Sequence, residues 1–191
     1  MTPTDEQTPP SGHVEKHRHA DLSFLEKEIA KPKIVLVGNP NVGKSILFNA
    51  LSGLNVEVSN YPGTTVEITK GHYDEYDVYD TPGIYGVSSF NDEERVARDI
   101  VLEGDIIVNV VDGTHLERDL FLTQQLIDMG KKVVVLVNFM DEVKKHAIAI
   151  DVEGLKRFLG VEVIPVVAVR GTGFDLLPAA IANAREGTQR P

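Results

Sequence analysis

Residues 38–45 of this sequence read Gly38-Asn39-Pro40-Asn41-Val42-Gly43-Lys44-Ser45. The segment follows an apolar run typical of a buried strand, Ile34 to Val37, and precedes a helical pattern. Between a strand and a helix, this spacing is typical of a phosphate-binding loop, whose backbone N–H groups surround the phosphate oxygens. Its two glycines let the chain turn and approach the phosphates closely. We therefore predict a P-loop in which Lys44 reaches the terminal phosphates and Ser45 binds Mg²⁺.

A second motif, Asn138-Phe139-Met140-Asp141, follows another buried-strand run, Val133 to Val137. An Asp at this place can accept hydrogen bonds from guanine N1–H and the 2-amino group, while the Asn serves the N7 and O6 side. Adenine has no 2-amino group and would leave the carboxylate unpaired, so we expect ATP to be rejected by ~10⁴-fold or more. Asn-x-x-Asp alone is common in loops, but after a P-loop it predicts a guanine nucleotide, GTP or GDP.

A third motif, Asp80-Thr81-Pro82-Gly83, ends the short strand pattern from Tyr76 to Tyr79. We predict that Asp80 reaches Mg²⁺ through a water molecule and that the Gly83 N–H contacts the γ-phosphate. Because that contact is lost when the phosphate leaves, the segment after Gly83 is predicted to be a switch.

Upstream of that strand lies the polar segment Tyr61-Pro62-Gly63-Thr64-Thr65. One of its two threonines is expected to give a hydroxyl to Mg²⁺, and we predict Thr65. A simple Pro-Gly turn is the alternative interpretation, and it is compatible with a mobile loop.

Composition is consistent with a nucleotide-binding domain and excludes several other classes. With 191 residues, 42% hydrophobic and 25% charged, the chain is expected to form one globular domain. The absence of cysteine excludes disulfides and cysteine-based metal or redox chemistry. A net charge of −10 argues against a nucleic-acid partner. The apolar runs are too short to span a bilayer and the N-terminus has no signal-peptide pattern, so we expect a cytoplasmic protein without membrane insertion.

We predict that the chain divides into a polar, mostly disordered tail over 1–32, a G domain over 33–186 and a C-terminal tail over 187–191. Within the first tail, the spacing of three apolar residues predicts one short amphipathic helix: Leu22, Leu25 and Ile29. Three histidines there are interpreted as solvated rather than metal-binding: His13, His17 and His19. No cluster outside the tail has the ligand spacing of an iron site.

From Lys33 onward the pattern predicts an α/β fold, a mostly parallel six-stranded sheet with helices on both faces. Strands are expected near 33–37, 66–70, 76–80, 105–111, 132–138 and 161–167. Helices are expected near 44–52, 92–103, 116–129, 142–158 with a break at 149–152, and 174–184. The motifs follow strand carboxyl ends, where ligands of such sheets bind. In the last loop, Val167-Ala168-Val169, a backbone N–H near Ala168 is predicted to bond guanine O6.

These motifs together resemble the N-terminal cytosolic G domain of the bacterial ferrous iron transporter FeoB, a Ras-like P-loop GTPase. The similarity runs from about Lys33 to Leu177 and extends beyond the nucleotide motifs to 60–67, 94–99, 108–112, 116–120 and 122–126. Phe139, in place of the usual Lys, is also similar to this family, and its presence implies looser guanine binding and faster nucleotide exchange. The resemblance implies a membrane permease domain or subunit for Fe²⁺ as partner, a location at the inner face of the cell membrane, and regulation of uptake by GTP turnover.

Ile84 and Tyr85 follow Gly83, where many small GTPases have a Gln that orients the attacking water. The resemblance extends to potassium-activated GTPases and implies that Asn41 helps to hold K⁺. We thus expect slow, K⁺-stimulated hydrolysis that depends on four residues: Asn41, Lys44, Thr65 and Gly83. The alternative for Asn41 is that it only stabilises its own loop. Two alternative functions stay open, an Era-like ribosome-assembly or RNA-associated GTPase and a stand-alone nucleotide switch with little turnover.

Overall fold

The computed structural model describes residues 31–53, 55–87 and 91–187, and over these ranges strands and helices alternate. The strands are β1 (Lys33–Val37), β2 (Glu57–Asn60), β3 (Glu67–Tyr73), β4 (Tyr76–Asp80), β5 (Ile106–Asp112), β6 (Val133–Asn138) and β7 (Glu162–Pro165). The helices are α1 (Lys44–Ser52), α2 (Asp92–Glu103), α3 (Leu116–Asp128), α4 (Met140–Lys145), α5 (Val152–Leu159) and α6 (Leu177–Glu186).

The strands form one sheet in the order β2-β3-β4-β1-β5-β6-β7. The pairs from β4 through β1, β5 and β6 to β7 are parallel, and β3 runs antiparallel to both of its neighbours. The predicted α/β class with a mostly parallel sheet is therefore confirmed.

The central strand β1 shows why helices cover both faces. Successive side chains of a strand point to opposite sides, and every residue from Ile34 to Val37 is buried. Ile34 and Leu36 pack with apolar side chains of α1 and α6, while Val35 and Val37 pack with those of α2 and α3. Two hydrophobic layers thus hold the sheet between helices.

The sheet has seven strands, so the predicted number of six is wrong. The strand that sequence reasoning missed is β2, which pairs antiparallel with β3. All four β2 residues are exposed, so the strand lacks the alternation of apolar and polar residues that marks a half-buried strand. The predicted break in the helix over 142–158 is present between α4 and α5, although it spans 146–151 and not 149–152. The predicted helix over 174–184 begins later, because a 3₁₀ turn, Phe174–Leu176, precedes α6.

The predicted N-terminal tail, its amphipathic helix and its histidines lie outside the described residues, apart from Lys31 and Pro32. The same holds for the C-terminal tail beyond Gly187. Within the three described ranges, every helix is too short or too polar to cross a bilayer.

Because β1, β4, β5, β6 and β7 are parallel, their carboxyl ends meet at one edge of the sheet. The segments that carry the predicted motifs leave from this edge: the loops 38–43, 81–87 and 166–173, and residues 139–141, where α4 begins.

Candidate nucleotide-binding site

The phosphate loop 38–43 owes its shape to backbone positions that few side chains tolerate. A Cβ on Gly38 would collide with the carbonyl oxygen of Val110, and Gly43 has φ 97°, where a Cβ would lie 2.5 Å from Asn138 Nδ2. Asn41 also adopts a left-handed conformation, with φ 66°. Asparagine is among the residues that accept this conformation, so the sequence suits a tight loop around an anion.

Lys44 begins α1 and is almost completely covered, with 7% of its surface exposed. Its Nζ donates to the Asn39 carbonyl at 3.5 Å, which is long for a hydrogen bond. Burial lowers the pKa of Lys44, and the nearby Asp80 carboxylate opposes that effect. Lys44 is thus a sparsely solvated cation that an anionic ligand in the loop would stabilise.

Ser45 and Asp80 form the part of the site that fits a magnesium ion. The Ser45 hydroxyl donates to Asp80 Oδ2 at 3.0 Å, whereas Asp80 Oδ1 is buried and has no hydrogen-bond partner among the described residues. Burial raises the pKa of Asp80, and Lys44, Ser45 and the Thr81 amide counteract it. A buried carboxylate oxygen beside a hydroxyl is the hard-oxygen chemistry that Mg²⁺ prefers.

The two threonines of the loop that joins β2 and β3 differ in their contacts. Thr64 Oγ1 donates to the Tyr61 carbonyl and accepts from the Val66 N–H, both at 3.1 Å. Tyr61 N–H also donates to the Val66 carbonyl at 2.8 Å, which closes the loop. Thr65 is exposed and takes no part in these bonds. Its role as a magnesium ligand stays a prediction.

The segment after β4 lies against the phosphate loop. A Cβ on Gly83 would be 2.7 Å from Pro40 Cα, so only glycine allows this approach. Ile84 N–H donates to the Gly38 carbonyl at 3.1 Å and its side chain is buried, while the Tyr85 side chain is exposed.

Asn138, at the end of β6, is 1% exposed and joins two loops. Its Nδ2 donates to the Val42 carbonyl at 2.9 Å, and its Oδ1 accepts the Ala168 N–H at 2.9 Å. The Ala168 N–H thus donates to Asn138 in this structure, and the bond from a backbone N–H near Ala168 to guanine O6 stays a prediction. Val167 exchanges backbone hydrogen bonds with Thr172, and Val169 is exposed.

Asp141 lies in the first turn of α4, two residues after Phe139, whose φ of 62° redirects the chain out of β6. One Asp141 carboxylate oxygen is 3.6 Å from Arg170 Nη2. Sequence reasoning missed Arg170, because its only signal was one basic residue in the loop after β7. The ion pair places a positive charge beside the carboxylate for which we predict hydrogen bonds to guanine.

Asp119 is a second residue that sequence reasoning missed. It is 1% exposed, and its Oδ1 accepts from Asn39 Nδ2 at 2.5 Å and from Arg118 Nε at 2.8 Å. Its Oδ2 accepts the Asp112 N–H at 2.9 Å. The signal was present, since Asp119 lies three residues before Leu122 on the apolar face of α3.

Contacts therefore join the phosphate loop to three predicted or newly found groups, Gly83, Asn138 and Asp119, and Asp80 contacts Ser45 in the adjoining helix α1. Within the described ranges, neither Thr65 nor Asp141 is hydrogen-bonded to this loop.

Comparison with known proteins identifies the family. The family model described as ferrous iron transport protein B matches residues 32–181. This chain belongs to that family, FeoB. A curated relative, the Fe(2+) transporter FeoB of Legionella pneumophila (strain Paris), is 42% identical over 164 residues, which are 80% of this chain and 22% of the relative. The chain thus matches about a fifth of the length of such a FeoB protein.

Solved FeoB structures share the fold. A mutant of S. thermophilus NFeoB bound to mGDP has a TM-score of 0.76 at 42% identity, covering 79% of this chain and 60% of that chain. The cytosolic domain of L. pneumophila FeoB has a TM-score of 0.74 at 42% identity, covering 80% and 68%. The resemblance to FeoB is therefore confirmed, and FeoB G domains form a P-loop GTPase family.

Proposed function

We propose that this chain binds guanine nucleotide and hydrolyses GTP as the regulatory G domain of a ferrous iron transporter. The observation that carries the proposal is the arrangement of Lys44, Ser45 and Asp80: a poorly solvated cation beside a hydroxyl and a buried, unpartnered carboxylate oxygen. Such a group of side chains needs phosphate and a divalent cation to satisfy it.

The nucleotide site extends from the phosphate loop to the base motif. Backbone N–H groups of 38–43 and the Lys44 ammonium bind the phosphates, and Asp141 accepts hydrogen bonds from the guanine edge. Asn138 acts differently from Asp141, because it holds Val42 and the Ala168 loop in place instead of presenting a free amide. The nucleotide bound to the S. thermophilus NFeoB structure supports guanine as the base.

Ser45, Asp80 and Thr65 are the groups that would hold Mg²⁺, and the exposed Asn41 would hold K⁺ through its side-chain oxygen. When bound, these cations neutralise the negative charge that builds up on the phosphates during hydrolysis. In the reaction, a water oxygen bonds to the γ-phosphorus as the bond to the bridging oxygen breaks, giving GDP and inorganic phosphate. Lys44 and the Gly83 N–H stabilise the γ-phosphate oxygens.

Ile84 and Tyr85 offer the attacking water no orienting side chain, since Ile84 is buried and Tyr85 faces Arg118. Hydrolysis is therefore slow without K⁺. The nucleotide state is read by a membrane permease domain or subunit for ferrous iron, and the G domain works in the cytoplasm at the inner face of the membrane. The name of the L. pneumophila relative, a cytosolic domain of FeoB, supports this placement.

The proposal is tested by measuring GTP hydrolysis by the purified chain in matched KCl and NaCl buffers, with ATP as the control nucleotide. We expect phosphate release from GTP alone, faster in K⁺. Guanine nucleotide binding without release in either buffer would contradict the GTPase proposal and leave a binding switch. Equal hydrolysis of ATP and GTP would contradict the assignment of Asp141.

Thr65→Ala should lower single-turnover GTP hydrolysis by about 10- to 100-fold at limiting Mg²⁺, because one hydroxyl ligand of the ion is removed. Raising the Mg²⁺ concentration should restore part of the rate. The measurement is a Mg²⁺ titration of the single-turnover rate.

Thr64→Ala is the matched control, because it removes the same hydroxyl from the neighbouring position. Its hydroxyl closes the loop between Tyr61 and Val66, so this variant should change the rate without shifting the Mg²⁺ midpoint. If Thr64→Ala shifts the midpoint and Thr65→Ala does not, Thr64 is the ligand.

Asp80→Asn should stabilise the nucleotide-free, Mg²⁺-free protein while weakening Mg²⁺ binding. Burial raises the pKa of Asp80 in the folded state, so ionisation of this group costs folding free energy above that raised pKa. The cost disappears as the pH falls through the raised pKa, so the gain should be full at neutral pH and shrink in acid. A gain on the order of 1 kcal/mol would raise Tm by about 2–4 °C.

The measurement is a thermal melt of both proteins at neutral and acidic pH, without and with Mg²⁺ and GDP. Mg²⁺ and GDP together should raise Tm far more in the parent than in Asp80→Asn. Equal melting temperatures at neutral pH without ligands would refute the effect of the unpartnered carboxylate.

A further inference from the structure

We infer that Asp119 is a positioning residue that fixes the phosphate loop and the segment Ile84–Val87 to the same helix, α3. It holds Asn39 of the loop on one side and, through Arg118, Tyr85 of the segment on the other. The inference rests on the proposed function, since it concerns how Gly83, just before this segment, is placed for the γ-phosphate.

The contacts between Asp119 and Asn39 form the inner half of this link, and both side chains are buried. A carboxylate at 1% exposure needs donors to offset the loss of water, and Asp119 has three of them. One is the Asn39 side chain, itself 2% exposed, at 2.5 Å. Another is the Asp112 N–H, at the end of β5. Asp119 therefore ties the residue that precedes Pro40 to the end of a central strand.

The contacts from Asp119 through Arg118 to Tyr85 form the outer half of the link and lie at the surface. Its Nε donates to Asp119 Oδ1 at 2.8 Å, which fixes the plane of the guanidinium group. The guanidinium carbon lies 6.0 Å from the centre of the Tyr85 ring, within the range of a cation–π contact. Tyr85 is thus held by a cation whose own position depends on Asp119.

The same face of α3 holds the rest of the segment. Arg118, Phe121 and Gln125 are three and four residues apart, so they line one side of the helix. Gln125 Oε1 accepts the Val87 N–H at 2.9 Å. A Cβ on Gly86 would be 3.1 Å from Gln125 Oε1 and 3.7 Å from Phe121 Cε1, so the backbone lies directly on these side chains.

The two halves meet at Gly83, the residue whose N–H is proposed to contact the γ-phosphate. Gly83 packs on Pro40, which follows Asn39, and Tyr85 follows Gly83 by two residues. Asp119 therefore sets the loop and the segment relative to each other through a single carboxylate. Loss of that carboxylate should misplace the Gly83 N–H relative to the phosphate loop.

The first test uses Asp119→Asn, which keeps the size of the side chain but presents an N–H₂ group to at least one of its three donors. We expect kcat for GTP to fall by about 10-fold or more with KM within about twofold, because small misplacements at a reacting centre cost up to ~10² in rate. Thr123→Val is the matched control: Thr123 is a buried polar residue of α3 that donates to Asn109 Oδ1 at 2.5 Å, away from this link.

Thr123→Val should lower Tm and leave kcat unchanged. If Asp119→Asn lowers Tm to the same extent and also leaves kcat unchanged, Asp119 is only a structural residue and the inference is overturned. Absence of GTP hydrolysis in the parent would instead refute the proposed function.

The second test follows the segment itself. The chain has no tryptophan, so Tyr85→Trp introduces a single reporter that keeps the aromatic contact with Arg118. We expect its emission to differ between GDP and a non-hydrolysable GTP analogue. Adding Arg118→Gln should largely abolish that difference.

Arg185→Gln is the control for the second test, since Arg185 lies 5.9 Å from the Tyr76 ring centre, outside the site. It should leave the emission difference intact. An emission difference that persists in the Arg118→Gln protein would contradict the role of the Arg118–Tyr85 contact, as would a reporter that does not respond to the nucleotide.

Discussion

Replacing Asp141 by asparagine should turn a guanine site into a xanthine site. The carboxylate accepts two N–H donors of guanine, at N1 and the 2-amino group, whereas an asparagine amide offers one acceptor and one donor group. The 2-amino group of guanine would then face the N–H₂ donor of the asparagine amide. Xanthine has an oxygen at this position, which would accept a hydrogen bond from that N–H₂. Hydrogen bonds to charged groups contribute about 1.5–3 kcal/mol each, so the loss of one should lower the affinity for guanine nucleotide by about 10- to 10²-fold.

The measurement is the dissociation constant of GDP and of xanthosine diphosphate for both proteins. Glu142→Gln is the matched control, because it removes a negative charge from the next residue without touching the base-reading group. It should leave both constants within about twofold, as for an ordinary surface substitution. Equal weakening of both nucleotides by Asp141→Asn would refute the assignment.

The ion pair between Asp141 and Arg170 makes the same experiment informative about the loop after β7. Its 3.6 Å separation and the exposure of Arg170 indicate a weak contact that a base can displace. Arg170→Gln should therefore keep the guanine preference even if it changes the absolute affinity.

Removing the Asn41 side chain should abolish the potassium response. We expect GTP hydrolysis by the parent to be ~10-fold or more faster in K⁺ than in Na⁺, which is a modest share of the ~10³ to 10⁵ that a well-placed positive charge can contribute. In Asn41→Gly the ratio of the two rates should fall to about one.

Glycine is the informative substitution because of the backbone at this position. Asn41 has φ 66°, and an alanine there would add about 1–2 kcal/mol of local strain, which could disturb the loop regardless of K⁺. Glycine removes the side chain without that strain. The measurement is the single-turnover rate in matched KCl and NaCl for the parent, Asn41→Gly and Asn41→Ala.

Asn41 has an alternative role, the support of its own loop. In that case Asn41→Gly would slow hydrolysis equally in both salts, and the ratio would stay at the value of the parent. A K⁺ response that survives in Asn41→Gly would therefore exclude this side chain as the potassium ligand.

Much of the fold could be predicted because its signals are local. Buried runs such as Val133 to Val137 and the phosphate loop each lie within a few consecutive residues. The edge strand β2 could not be predicted, because its residues are all exposed and its existence depends on pairing with β3.

The contacts that complete the candidate site were beyond sequence reasoning for a different reason. Asn138 and Val42 are 96 residues apart, and Asn39 and Asp119 are 80 residues apart. The residue types were visible, but which polar side chains pair depends on how the strands are ordered in the sheet. The hydrogen bond from the Ala168 N–H to Asn138 is a further example of such a long-range pair.

The Asn138 amide has a consequence for nucleotide release. It holds the loop at the phosphate end and the loop at the base end with its two polar atoms, so neither loop can move far while the other stays still. GDP would then dissociate when both loops open together, and not by release of the phosphates or of the base first. Dissociation should follow a single exponential, with one barrier that any partner able to separate these two loops could lower.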